Sequence, residues 1–451
     1  MDKPDQKLLN KLWFFYLSFM TLWTVLTYGD TVKAFLDSRI FAYKMNGDVF
    51  TSDFLLYYNN GILAWEAFNN QINIYDGLLQ NQYLEKLTGM ELKKIFYSQY
   101  PPYLFVLMMP LPLLEMNQVW VLWELGGFTL MLFSLWELLK VSLKGKFTRV
   151  FAIIATLGSF PAWVCFRLGQ IVLLIYPAFI WYWLALERQK WFTAGLLGGF
   201  CLLKLQYMPI LFLTGVFLGG WRFFFGYATT GTIYLLSSGF ILGWHNVIGY
   251  PQALKYGEIS GKVTGVSPES QQNLRGQLVA VLHNDGSMVH IVAFIVWISV
   301  SLIVAYFWYR ESKSRKELGD NDPGKQKRFL VLASITVLAL LLSSPHTHRQ
   351  DYIFTTLPCF WLFSSLVGNY PLEEAPIETD KKSQLLLLRY LILGIPMLSW
   401  IFYLVTFFFP VIIQPFFAWG LILVILVLSI IKNGGGLREL FKVETVNNAG
   451  N

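Results

Sequence analysis

Charge is scarce in this chain. Only 14% of its 451 residues are Asp, Glu, Lys or Arg, while 55% are hydrophobic. A soluble domain carries about a quarter charged residues, so that class is excluded. Cysteine is scarcer still. The three cysteines, Cys165, Cys201 and Cys359, lie in or beside apolar runs with no paired Cys or Cys/His spacing. This argues against a disulfide framework or a metal module and leaves small core residues. Alternating segments of about ten residues, the mark of a transmembrane barrel, are missing. No internal repeat is visible, which counts against many transporter folds. Asn-x-Ser/Thr sequons are absent as well, which leans toward a bacterial source. No loop is long enough to form an independent soluble domain.

What the chain does have is apolar runs of spanning length, with a mean hydropathy of +0.48. A bilayer core of roughly 30 Å demands such runs, so the expected class is all-α, a polytopic membrane protein of about 11–13 helices. The candidate spans are 12–28, 117–141, 150–165, 170–186, 192–204 with 207–220, 223–243, 289–309, 329–343, 352–368, 387–409 and 411–431. The first is expected to be a retained helix, since no small-residue cleavage site follows it. The segment 101–114 is short and carries four prolines, and a re-entrant or broken helix is expected there. The pair 192–204 and 207–220 is divided by Lys204-Leu205-Gln206 and Pro209, a pattern common where a polar site is buried in a membrane.

The net charge of +7 comes mostly from Lys and Arg flanking the spans. It reads as positive-inside topology, not nucleic-acid binding. The basic loop Arg310 to Arg328 is therefore cytoplasmic, as are both termini. Counting outward puts 29–100, 166–169, 244–288 and 345–351 on the far side, provided 101–114 does not cross. The expected organisation is one catalytic domain over 1–431, with far-side loops 29–100 and 244–288, and a short cytoplasmic tail at 432–451.

The unusual polar residues concentrate on that far side. Asp53 opens a stretch in which Phe54, Tyr58, Ile62, Trp65 and Phe68 recur at helical spacing, giving an amphipathic helix suited to a membrane interface. Asp53 is either a carboxylate for chemistry or merely a helix N-cap, and Asp30, Asp37 and Asp48 are alternatives for the first role. Tyr100-Pro101-Pro102-Tyr103 fixes an extended approach to 101–114. Arg167, in Arg167-Leu168-Gly169-Gln170, is suited to phosphate or simply snorkels to the interface. Lys204 lies at membrane depth, where a cation normally faces a partner or a cavity. Gln272-Asn273-Leu274-Arg275-Gly276 is a surface turn or a further phosphate contact. In Ser343 to Tyr352, His346, His348, Arg349 and Asp351 fall together. Metal binding lacks a third ligand there, and hydrogen bonding to a sugar or phosphate suits these groups better.

Together these supply a carboxylate base, cations for a phosphate and an aromatic groove for a lipid chain. Glycosyl transfer from a lipid phosphate needs that set and needs no cofactor. A transporter or flippase of a lipid-linked sugar is the alternative. It would want charged residues along a path through the membrane, whereas here they gather near one face.

The order of motifs resembles the polyprenol-phosphate-mannose-dependent α-(1→2)-mannosyltransferase family of bacteria, within the GT-C superfamily. The similarity spans roughly residues 50–365. It is carried by Asp53-Phe54-x-x-Tyr57-Tyr58-x-x-Gly61 through Tyr75-Asp76, Tyr100-Pro101-Pro102, and Gly169-Gln170. It continues in Ala194-Gly195 to Lys204 and Pro209, Asn273-Leu274-Arg275-Gly276, and Ser344-Pro345 to Asp351-Tyr352. The resemblance implies a GT-C fold, inversion of a β-linked polyprenyl-phosphate sugar without a metal, and a catalytic aspartate in the first far-side loop, which maps to Asp53. Tyr57, Tyr58, Tyr100, Arg167, Gln170, Lys204, Asn273, Arg275, His346, His348, Arg349 and Asp351 are the expected substrate-binding residues. The implied partners are a polyprenyl-phosphate sugar donor, a lipid or glycan acceptor and membrane lipids, with the active site outside the bacterial cytoplasmic membrane. Two departures stand out. Asn273-Leu274 lacks the serine often found beside the asparagine, and His346-Thr347-His348 replaces a segment that often holds Trp. Mannose is therefore the family's default sugar, not one these residues select.

Overall fold

Spanning-length apolar runs become helices because a helix satisfies its own backbone where water cannot. The computed structural model describes residues 6–37, 39–45, 48–92, 96–143, 145–259, 270–318, 324–367, 394–395, 397–404 and 413–433. It begins with α1 (Gln6–Leu36), followed by an antiparallel hairpin of β1 (Ala42–Met45) and β2 (Asp48–Thr51), in the register Ala42 to Thr51 and Met45 to Asp48. Then come α2 (Asp53–Asn70), α3 (Gly77–Thr88), α4 (Pro102–Met108), α5 (Met116–Ser142), α6 (Lys146–Leu157), α7 (Phe160–Leu168) and α8 (Val172–Glu187). The chain continues through α9 (Trp191–Phe200), α10 (Met208–Leu242), α11 (Trp244–Ile259), α12 (Leu274–Leu282), α13 (Ser287–Leu318), α14 (Lys325–Ser343), α15 (Thr356–Val367) and α16 (Pro415–Asn433). Most of the expected span 387–409, the tail beyond 433 and the middle of the 244–288 loop lie outside the described residues.

Among the described residues, four helices are long and apolar enough to cross a membrane: Met116–Ser142, Leu205–Leu242, Ser287–Glu317 and Lys325–Ser343. Thr148–Leu157 and Phe160–Leu168, bent by 55°, make a fifth if they form one broken span. The bend has a local cause. Ser159 caps α7, its Oγ accepting from Ala162 N at 3.4 Å, and Pro161 sits in the first turn. The fold is all-α and polytopic, apart from the hairpin. The segment 101–114 is broken as its prolines require: α4 starts at Pro102, and Pro110 and Pro112 shape a single 3-10 turn over Leu111–Leu113.

The core follows from which helices are apolar all round. α8 is buried on nearly every side, as expected of a helix with no polar face. α9 and α10 touch backbone to backbone, because Gly195 and Gly226 leave no room for a Cβ against the facing helix. α10 itself breaks at Gly220, whose φ is 55°. Where α8, α13, α14 and α15 meet lies an aromatic block of Trp183, Trp308, Phe329 and Trp361, with ring centroids 5.6–6.1 Å apart. Past it, buried Glu311 accepts from Arg315 Nε and Arg328 Nε, both at 2.8 Å. Two of the cations counted for topology are thus tied to one carboxylate.

α2 forms where the aromatic spacing places a helix, but its stripe is not laid open on a surface. Phe54 and Tyr58 are buried against Phe41 and Trp123, and only Phe68 is well exposed. The reason is local: the hairpin and α5 cover that face.

Candidate functional site

The hairpin delivers the start of α2. Ser52 N donates to Phe41 O at 2.8 Å, and Ser52 Oγ caps the helix by accepting from Leu55 N at 3.4 Å. The N-cap is therefore Ser52, and the Asp53 carboxylate is left for another partner. That partner is Gln170, whose Nε2 donates to Asp53 Oδ2. Gly169 makes the meeting possible. It ends α7 at φ 61°, and a Cβ there would come within 2.6 Å of Phe54 Cβ. Only glycine fits both the conformation and the approach, so the α7–α8 turn can press onto the first turn of α2. Burial pushes the Asp53 carboxyl up to about 6, against the pull of Lys204, with Asp351 adding a smaller push upward.

Lys204 sits in extended backbone (φ −124°, ψ 90°) between two 3-10 turns at the α9–α10 break. Its Nζ pairs with Asp351 Oδ1, and both side chains are buried. Tyr207 OH donates to the same oxygen at 2.8 Å, and His348 N donates to Asp351 Oδ2 at 2.9 Å. Burial alone would raise the Asp351 carboxyl. The Lys204 charge and hydrogen bond, with the His348 N–H, outweigh it and hold the group below its usual range.

The segment that carries Asp351 is laced to its surroundings. Gln206 Nε2 donates to His346 O at 2.9 Å, Gln272 N to Thr347 O at 2.7 Å and Asn273 Nδ2 to Ser344 O at 2.8 Å. His346 Nδ1 lies 3.1 Å from Gln271 Nε2, and the two histidine Nε2 atoms are 3.1 Å apart. Burial, then the neighbouring His346, lowers the His348 ring to about 3, so it is a neutral hydrogen-bonding group at pH 7. Among the described residues, no three His, Cys, Asp or Glu side chains are placed to hold a metal ion.

These pieces surround one cavity of about 1400 Å³. Of the residues singled out from sequence, Asp53, Tyr100, Arg167, Gln170, Lys204, Arg275, His346, His348 and Arg349 line it. Four do not. Tyr57 OH bonds to Tyr100 OH at 3.0 Å and accepts from Ile171 N at 3.3 Å, bracing the wall from behind. Tyr58 OH is spent on Leu114 O at 2.9 Å. Asn273 caps α12, accepting from Gly276 N at 2.8 Å. Asp351 lies wholly buried beneath Lys204. Of the alternative carboxylates, Asp30 also lines the cavity, Asp37 pairs with Arg39 and Asp48 starts β2.

The cations differ in how far they are committed. Lys204 belongs to Asp351, and Arg275 reaches Asp285 at 3.5 Å. Arg167 and Arg349 have no carboxylate partner among the described residues; Arg349 lies 5.8 Å from the Tyr403 ring centroid. α7 packs directly on the Arg349–Thr355 turn, where Cys165 Sγ donates to Gln350 O at 3.6 Å, so the two guanidiniums approach the cavity from adjoining elements.

Several lining residues were missed by sequence reasoning. Gln206 lay within the noted break but was read only as a helix breaker. Tyr97, Ser98 and Gln99 precede the Pro-Pro motif, and the extended conformation imposed by proline could have drawn them in. His290, Phe294 and Trp297 read as the ordinary start of a span and carried no signal. Ile291 and Phe294 line the cavity and are about half exposed on a membrane-length helix.

Residues 97–320 match the sequence model described as Glycosyltransferase family 87. The match takes in Tyr100, Arg167, Gln170, Lys204 and Arg275, and leaves Asp53 and the His346–Asp351 segment outside it. No curated protein and no solved structure matches the chain significantly. The family match indicates glycosyltransferase activity, and with the apolar helices it supports a multi-pass integral membrane glycosyltransferase.

Proposed function

We propose that the chain transfers a hexose, mannose by its motif resemblance, from a polyprenyl-phosphate sugar to a hydroxyl of a lipid or glycan acceptor, with inversion. The observation that carries this reading is the make-up of the cavity. A buried carboxylate of raised pKa, two guanidiniums without a carboxylate partner among the described residues, and apolar side chains of a membrane-length helix face the same space.

Each part has a role. Asp53 takes the proton of the acceptor hydroxyl as its oxygen bonds to the anomeric carbon. The bond from that carbon to the phosphate oxygen breaks, and the electron pair leaves with the polyprenyl phosphate. Arg167 and Arg349 meet the charge that develops there. Gln170 orients the carboxylate. Lys204, held by Asp351, adds positive field without being the first contact. His346 and His348 hydrogen-bond the sugar, and the apolar side chains of Ile291 and Phe294 receive the lipid chain.

The sidedness also supports this reading. His290 at the cavity and Glu311 at the basic end lie on one helix, roughly 30 Å apart at 1.5 Å per residue, about one bilayer core. With the basic loop cytoplasmic, the site is extracytoplasmic, in a bacterial cytoplasmic membrane. A transporter would need a polar path between those ends, whereas the helices carry a buried block of rings, Trp183, Trp308, Phe329 and Trp361, close to the Glu311 end.

The test compares donors. Purified protein in nanodiscs is incubated with a lipid extract of the source and either labelled polyprenyl-phosphate mannose or labelled GDP-mannose. Label reaching a new product from the lipid donor alone is expected. Equal or better transfer from the nucleotide sugar would overturn the lipid-phosphate donor.

A further inference from the structure

The stretch Phe96 to Pro101 belongs to no helix or strand, yet buried side chains hold its backbone. Gln80 of α3, wholly buried, accepts from Ser98 N at 2.7 Å and donates to Ile74 O at 2.8 Å. Asn81 Oδ1 accepts from Phe96 N at 2.9 Å, and Tyr75 OH donates to Tyr100 O at 2.8 Å. Gln80 is itself anchored to α2, since Asn59 Nδ2 donates to its backbone oxygen at 3.2 Å. Three buried side chains are thus spent on the backbone of an irregular segment. Such an arrangement fixes the side chains that the segment displays.

Those side chains are Tyr97, Ser98, Gln99, Tyr100 and Pro101, all of which line the cavity, with Tyr250 of α11 beside them. Ser98 is 3% exposed, and its hydroxyl has no hydrogen-bond partner among the described residues. Gln99 Oε1, against α11 at Gly257, also accepts from nothing described. Buried polar groups are almost always paired, so the unpaired hydroxyl of Ser98, a residue that lines the cavity, points to a ligand that pairs it. The Tyr97 ring is braced edge-on by Tyr256 at 5.3 Å, and the Tyr250 ring packs tilted against Tyr75 at 5.8 Å. The described residues of this wall carry no charge, unlike the Arg167 and Arg349 side.

We propose that Tyr97, Ser98, Gln99 and Tyr250 form the subsite for a neutral saccharide, the glycan end of the acceptor. Aromatic faces with interspersed hydroxyl and amide groups suit a sugar, whose ring offers apolar C–H faces and a rim of hydroxyls. A phosphate would find no cation among the described residues of this wall. The wall runs to Tyr100, whose OH bonds to Tyr57 one turn along α2 from Asp53, so a saccharide seated there brings a hydroxyl toward the carboxylate. The proposal rests on the glycosyl-transfer reading above, and it can fail separately from it.

The experiment uses full-length protein in nanodiscs and methyl α-mannoside and methyl α-glucoside as probes, read by saturation-transfer difference NMR, which needs no turnover. Ring-proton signals from one or both sugars are expected in the wild type and in Asp53→Asn. They should fall at least fivefold in Ser98→Ala and Tyr250→Ala and recover in Tyr250→Phe, which keeps the ring. Melting temperatures check that each variant is folded, and the mild Ser98→Ala keeps the test decisive if Tyr250→Ala misfolds. Absence of signal in the wild type, or signals unchanged in both folded alanine variants, would overturn the subsite. In the transfer assay, the same variants should raise the acceptor KM at least fivefold and leave the donor KM unchanged; a rise in donor KM instead would also overturn it. No transfer by the wild type would sink the glycosyl-transfer reading, while the NMR result still decides the subsite.

Discussion

Asp53→Asn exchanges a buried carboxylate for a neutral amide of nearly the same shape, and the consequence for stability has a definite sign. Burial raises the Asp53 carboxyl from 3.8 to about 6. An acid whose pKa is raised by folding binds its proton more tightly in the native state, so ionisation favours unfolding. At about 1.36 kcal/mol per pKa unit, the ionised side chain costs roughly 3 kcal/mol above pH 7. The cost is absent below the unfolded pKa of 3.8 and grows as pH rises through about 6; roughly half is already incurred at pH 5. The amide variant does not titrate, and its carbonyl oxygen can still accept from Gln170. The stability gap, variant minus wild type, should therefore widen by about 1–2 kcal/mol between pH 5 and pH 7.5, a relative rise of roughly 1–3 °C in melting temperature. Thermal unfolding of both proteins in nanodiscs across that range measures it, and comparing the two cancels every other titrating group. A gap that narrows or reverses as pH rises would mean that folding stabilises the charged carboxylate, which would refute the account of how Asp53 is tuned.

Activity should follow the same group: kcat/KM for transfer should rise with pH through about 6 and level off above 7, because only ionised Asp53 accepts a proton. Gln170→Ala removes a donor to the charged form, so the acid limb of that profile should move to higher pH, whereas a purely structural role for Gln170 would lower activity equally at all pH values. Gly169→Ala forces a Cβ onto a φ of 61° and against Phe54. It should cost about 1–2 kcal/mol of stability and reduce kcat with little change in donor binding, read by unfolding and by titration of unlabelled donor. Lys204→Met should destabilise by about 3–5 kcal/mol through the stranded Asp351, and Lys204→Met with Asp351→Leu by clearly less; a double-mutant cycle measures the coupling.

The class was plain from composition, since so few charges and such long apolar runs leave only a membrane helical protein. The Lys204 break was plain too, because a cation followed by Pro209 cannot sit inside a continuous span. Hidden from sequence were the partnerships. Nothing in Gly169-Gln170 says that its amide meets Asp53; that depends on how the α7–α8 turn packs onto Phe54. Lys204 looks like a free cation until Asp351, far along the chain, is brought beneath it. Tyr58 and Asn273 sit in the right motifs but spend their polar groups on Leu114 and on the cap of α12. The saccharide wall escaped notice because its meaning lies in Gln80 and Asn81, which look like ordinary polar positions of a surface helix.

The most direct test is label transfer from polyprenyl-phosphate mannose by the wild type and by Asp53→Asn, with donor binding measured in both. The account predicts product from the wild type, a loss of at least a hundredfold in the variant and unchanged donor affinity. Transfer by the variant at a rate near that of the wild type would contradict Asp53 as the base.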